Sequence, residues 1–166
     1  ELPRKLPAFA LIGESARAQL PADVEDAYPM AKLQVGMFFH NQLQPDSAVF
    51  HDVFSFRLQL PLDRALLRPA VDHLSARHAI FRTSFDLATH HEPLQRVHRA
   101  TQVPLTVQDL RGQDAADQRE ALVRWVEEEK RHPFVWEEAP LLRLHVQHLA
   151  EDAFQFIVSF HHAIMD

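Results

Sequence analysis

The residues best equipped for chemistry stand together at the carboxyl end of the chain, where an apolar run over residues 154–160 leads into His161, His162 and, four residues further on, Asp166. Three chemistries fit that pattern. One imidazole serves as a proton carrier near neutral pH, with the aspartate holding the local geometry through a charge-assisted bond. Alternatively, two histidines and a carboxylate ligate a metal. In the third, the histidines only satisfy backbone groups at a strand end. The metal reading is the weakest, because adjacent side chains on an extended segment point to opposite faces. Covalent catalysis finds little support: the chain lacks cysteine and has no Gly-x-Ser-x-Gly elbow. With glycine only at Gly13, Gly36 and Gly112, it has no phosphate-cradling loop either.

The element that must position these groups is a strand. Phe154, Phe156, Val158 and Phe160 share one parity; His162 continues it and His161 falls on the other side. The two histidines are thus expected to have different jobs. Leu141 to Leu149 alternates as well, and the tight Glu151-Asp152 connection predicts an antiparallel hairpin with the final strand. Upstream, Val49 to Leu60 has period two, with Phe50, Phe54, Phe56, Leu58 and Leu60 on one face and His51, Ser55, Arg57 and Gln59 on the other. Ala79 to Phe85 reads as a further strand, with Arg82 in a run otherwise built for burial. Its guanidinium needs a carboxylate or several carbonyls if buried, or else belongs to an edge strand facing solvent. Short strands are expected near Leu94 to His98 and Val103 to Val107, after a turn at His90-His91-Glu92-Pro93.

Helices fall between them. Pro29 is placed to open one, with Met30, Leu33 and Met37 on its stripe as far as Leu43. Asp63 is the expected N-cap of a second reaching Arg77, where Pro69 predicts a kink or a late start. Asp114 caps a third that runs to about Arg131 and carries Ala121, Leu122, Trp125, Val126 and Glu129, and Pro133 stops it. Residues 1–27 hold three prolines and one short helical segment, Glu14 to Leu20. The fold class is α+β: a mixed, largely antiparallel sheet layered with helices.

Composition bounds the function. At 166 residues, with 46% hydrophobic and 24% charged residues, the chain matches one globular domain with a real core. A net charge of −6 without any Lys/Arg block argues against nucleic acid or an anionic membrane as principal partner. The absence of cysteine excludes disulfides and thiolate-bound metals. No apolar run reaches the ~20 residues of a membrane span, and the amino terminus has no signal-peptide pattern. The expected setting is cytoplasmic.

Beyond these readings, the residues resemble a known family. His161-His162-Ala-Ile-Met-Asp166 is similar to the His-His-x-x-x-Asp-Gly core of condensation domains of nonribosomal peptide synthetases. Arg77-His78-Ala-Ile-Phe-Arg82-Thr-Ser-Phe85 resembles their second motif, and the segment from Tyr28 to Met37 their first. The resemblance implies a chloramphenicol acetyltransferase-like lobe at residues 23–166, the amino-terminal one of two that enclose a tunnel. Residues 1–22 would be a linker from an upstream carrier protein. It implies amide formation between a donor acyl or peptidyl thioester and the α-amino group of an acceptor aminoacyl thioester. His162 would be the catalytic residue, as general base or as orienter of the amine. His161 would be structural, Asp166 would pair with Arg82, and Arg77 would support the second motif. No metal and no directly bound cofactor are implied. The substrates would arrive on the phosphopantetheine arms of upstream and downstream carrier proteins, and the further partners would be the carboxyl lobe and an adenylation domain. By itself the lobe would have little or no activity. Competing readings are a CoA-dependent acyltransferase of the same superfamily and a non-catalytic recruitment module. An epimerization domain shares the histidine motif, whereas heterocyclisation domains have aspartate where His161 stands.

Overall fold

The computed structural model describes residues 6–44 and 48–165. In chain order the elements are α1 (Glu14–Ala18), β1 (Val24–Pro29), α2 (Lys32–Leu43), β2 (His51–Leu58), α3 (Arg64–Arg77), β3 (Thr83–Asp86), β4 (Leu94–His98), β5 (Leu105–Asp109), α4 (Ala115–Glu129), β6 (Leu142–Ala150) and β7 (Ala153–His161). Single 3-10 turns at Ala79–Arg82 and His162–Ile164 follow α3 and β7.

The strands form two sheets rather than one. A three-stranded antiparallel sheet has the order β1-β4-β3, and a four-stranded sheet has the order β2-β7-β6-β5. In the larger sheet only the β5–β6 pair is parallel, and α4 supplies the crossover such a pair needs. The hairpin of β6 and β7 forms around Glu151 and Asp152 as its alternation predicts. A mixed, largely antiparallel helix-and-sheet fold is what the sequence pattern describes.

Parity assigns each face of the larger sheet. One face carries Arg143, His145, Gln147, Ser159, His161 and His51, and α4 covers it: Trp125 stacks on His145 at 4.6 Å, and Glu129 accepts from Arg143 Nε at 2.6 Å. The other face sends Leu142, Leu144 and Phe160 into the main core with Met37 and Phe38 of α2, Val71 of α3 and Phe85 of β3. At the edge strand β2 this second face opens, and Phe54 and Phe56 are each 51% exposed. The sequence pattern places those phenylalanines on the strand's apolar face, which suggests burial. In the fold exposure runs across both parities, Ser55 and Arg57 included, and it is His51 at the start of the strand that is sealed, at 8% exposure.

Helix starts follow their caps. Asp63 accepts from Ala65 N at 2.9 Å, so α3 begins at Arg64 and continues through Pro69 without the expected late start. Asp114 accepts from both Ala116 N and Asp117 N. Pro29 behaves differently from expectation. It ends β1, and α2 starts three residues later, with the Gln34 side chain accepting from Ala31 N at 2.9 Å. Leu33, expected on the buried stripe, is 72% exposed, because the inward stripe runs through Gln34, Phe38 and Asn41 at i, i+4 and i+7.

Residues 79–85 also depart from the expected strand. A 3-10 turn occupies Ala79–Arg82, and only Thr83–Asp86 is a strand. The chain reverses immediately after α3, with Phe81 N bonded to His78 O and Thr83 Oγ1 to Ala79 O, so two-residue alternation cannot apply there. The amino-terminal segment is packed as well. Phe9 N donates to Asp26 Oδ1 at 2.6 Å, and the Arg17 guanidinium lies 4.6 Å from the centre of the Phe9 ring.

Candidate active site

The end of β7 separates the two histidines as strand geometry requires. His161 faces inward and is 2% exposed. Its ring stacks on Phe38 at 4.7 Å with an interplanar angle of 12°, and its Nδ1 accepts from Ala163 N at 3.1 Å. That bond leaves the ring proton on Nε2, which lies 3.1 Å from the side-chain amide of Asn41. Asn41 Nδ2 faces that nitrogen and Asn41 Oδ1 is buried without a partner, but an Nε2–H requires an acceptor, so the amide is assigned with its oxygen toward the ring, which satisfies both groups. Burial pushes the His161 pKa down to about 4, holding the ring neutral.

His162 has the opposite environment. Its side chain is 38% exposed, its N–H donates to Phe50 O at 2.8 Å, and its Nδ1 is 2.7 Å from Asp52 Oδ2. Asp52 belongs to β2 and shares the parity of Phe54 and Phe56, so carboxylate, imidazole and exposed phenylalanines lie on one open face. A half-exposed imidazole with one nitrogen bonded to a carboxylate has its other nitrogen free to accept and return a proton. Sequence reading missed Asp52. Its signal was an acid at an apolar-parity position between Phe50 and Phe54.

The turn that carries His162 is held from α2. Gln34 Nε2 donates to Ala163 O at 3.0 Å and to Gln95 Oε1 at 3.1 Å, which ties α2, β4 and the residues after β7 together. Beneath the opposite face, Glu129 accepts from Ser159 Oγ and from Arg143 Nε, each at 2.6 Å, and His51 Nε2 lies 2.7 Å from Ser159 Oγ. Burial raises the Glu129 pKa, yet the hydrogen bonds from His51, Ser159 and Arg143 outweigh it and hold the carboxyl down to about 2. Ser159 is fully buried, so this serine–histidine–glutamate cluster is structural rather than a nucleophile site.

Arg82 is buried at 7% exposure and finds both kinds of partner that a buried guanidinium needs. It pairs with Glu25 of β1 at 2.6 Å, donates from Nε to Ser75 O at 3.0 Å, and donates to His98 O. The solvent-facing alternative for Arg82 is therefore wrong, and Glu25 is a partner the sequence reading did not name. Asp166, the partner implied by resemblance, lies outside the described residues. Arg77 ends α3 as an exposed residue in its last turn, where a cation complements the helix dipole. Among the described residues no three His, Asp or Glu side chains converge to hold a metal ion.

The fold is a two-sheet α+β architecture with one sealed and one open histidine at the end of β7, and comparison with known proteins gives the family. A condensation-domain family model matches residues 24–166, and the chain belongs to that family. It is 41% identical over 166 residues to AMB antimetabolite synthetase AmbE of Pseudomonas aeruginosa, covering 99% of this chain and 8% of that protein. It is 30% identical over 162 residues to phosphinothricin tripeptide synthetase PhsC of Streptomyces viridochromogenes, covering 98% of this chain and 15% of that protein. The starter condensation domain of rhizomide synthetase RzmA shares the fold, with a TM-score of 0.74 and 20% identity over 86% of this chain and 35% of that one. The chain thus spans a small fraction of the curated relatives it matches.

Proposed function

We propose that this chain is the amino-terminal lobe of a condensation domain that forms peptide bonds in nonribosomal synthesis. In this reading residues 1–22 are the linker from an upstream carrier protein and residues 23–166 the lobe. The observation that carries the proposal is the placement of His162, the second histidine of a condensation-family motif, half-exposed on the open apolar-lined face while His161 is sealed behind it.

The reaction needs little from the protein. The acceptor's amino nitrogen attacks the thioester carbonyl carbon, and the C–N bond forms. His162 Nε2 takes the proton that nitrogen loses. The C–S bond then breaks with its electron pair going to sulfur, and the imidazolium returns the proton to the departing thiolate. An activated acyl group and a neutral amine mainly have to be brought together, and one proton has to be moved. His161 and the Arg82 cluster hold the lobe in shape, and the family motif assigns Asp166 a structural role. The substrates come on phosphopantetheine arms of carrier proteins upstream and downstream, so the chain binds no cofactor of its own. The other partners are a carboxyl lobe completing the tunnel and an adenylation domain, in a cytoplasmic assembly. Among the described residues no helix is long and apolar enough to cross a membrane.

The deciding experiment is dipeptide formation by the full-length protein with loaded donor and acceptor carriers. His162→Ala is expected to lower the rate by about 10²-fold to 10⁴-fold, the range for removal of a general acid–base group. Undiminished product formation would overturn the reading. The fragment alone is expected to form no peptide bond in the same assay.

A further inference from the structure

We infer that Asp52 is the positioning residue for His162, setting both its ring orientation and its tautomer; this rests on the proposed role of His162. The carboxylate oxygen Oδ2 lies 2.7 Å from Nδ1, a charge-assisted distance. An ionised carboxylate only accepts, so the proton of the neutral ring resides on Nδ1 and the lone pair on Nε2. That is the form a base needs, with its accepting nitrogen on the ring edge directed away from Asp52. When Nε2 takes a proton, the same carboxylate stabilises the imidazolium without moving.

Backbone pairing makes the contact a built feature. Asp52 pairs with Phe160 in the β2–β7 register, and His162 N bonds Phe50 O one step along the same ladder. Residues 52 and 162 are therefore diagonal neighbours on one face, within reach of their side chains. Strand β2 fixes the acceptor, and the turn bonded to it through Phe50 O fixes the donor, so the ring is aimed before any substrate arrives. The sealed neighbour has a different device. His161 uses Ala163 N and Asn41 to hold the opposite tautomer, with its proton on Nε2. Adjacent histidines are thus locked in opposite tautomers by different partners.

The test uses the full-length protein, loaded carriers and three variants. Asp52→Ala is expected to lower kcat about 10²-fold while KM for the carrier-bound acceptor and the melting temperature stay as in the wild type. Asp52→Asn, nearly the same in shape, is expected to fall as well, because its amide can offer N–H to the ring and favour the wrong tautomer. In the His162→Ala background, where the residual rate comes from holding two substrates together, adding Asp52→Ala is expected to change nothing. A wild-type kcat in Asp52→Ala and Asp52→Asn overturns the inference. So does a further loss of similar size in the double variant, which would mean Asp52 acts other than through His162. If Asp52→Ala unfolds, the same criteria apply to Asp52→Asn. Full activity in His162→Ala would instead sink the reading of His162, a separate outcome from a failure of Asp52.

Discussion

The two sides of β7 at its carboxyl end make an instructive pair. One side holds an imidazole stacked on Phe38, fully bonded and 2% exposed; the other holds an imidazole tied by one nitrogen to Asp52 and 38% exposed. Residue type is identical and the positions are consecutive, so the difference comes wholly from which face each side chain is given. A buried neutral histidine costs little if both nitrogens are satisfied, and it then acts as a shaped polar wedge in the core. An accessible histidine keeps the freedom to exchange a proton. The fold packs His161 among its stabilising contacts and leaves His162 accessible.

The largest effect that could break this contrast is on activity. His162→Ala should remove the proposed proton carrier yet leave thermal unfolding within about 1 kcal/mol of wild type, since its half-exposed ring leaves no buried cavity. A large loss of stability would make the two histidines alike and the contrast false.

His161→Ala should do the reverse. It removes a stacked ring from the core and strands Ala163 N and the Asn41 amide, at a cost of about 2–4 kcal/mol in chemical denaturation. Phe38 should also lose protection from solvent, readable by hydrogen exchange in α2.

Acid sharpens the sealed side further. His161 and His145 are both pushed down to about 4 by burial. Between their unfolded value near 6.5 and about 4 the unfolded chain binds more protons, so stability is present above pH ~6.5 and is lost as pH falls through that window, by up to about 3 kcal/mol for each ring. Glu129, held down to about 2, adds its loss only as pH falls below its ordinary value near 4.5. Unfolding free energy measured from pH 7 to 4 should therefore decline with a slope that His161→Ala shallows. A flat profile would show that neither ring is neutral and buried.

The smallest effect serves as a control on neither face. Asp114→Ala removes an acceptor from two helix-start N–H groups and should cost about 1 kcal/mol without touching catalysis.

Much of this was legible from residue pattern. The β6–β7 hairpin, the caps at Asp63 and Asp114 and the opposite facing of His161 and His162 follow from alternation and short-range hydrogen bonding, which depend on neighbours in the chain. Residues 79–85 defeated the same reasoning, because a helix that must turn back within four residues uses a 3-10 turn whatever the alternation suggests. Pro29 was misplaced because its fixed φ suits a strand end as well as a first helical turn. The exposed Phe54 and Phe56 were equally unreadable, since alternation tells which residues share a face and says nothing about what covers it.

By itself, then, the sequence determined most of the strands and helices, residues 29–31 and 79–82 apart, the motif at the chain's end, and the division of two adjacent histidines between opposite faces. Only the tertiary structure decided their partners. Asp52 and Glu25 lie 110 and 57 residues from His162 and Arg82, and a contact across such a span depends on strand register and on how layers stack. Those are set by the whole core at once, so no local spacing encodes which carboxylate meets which cation.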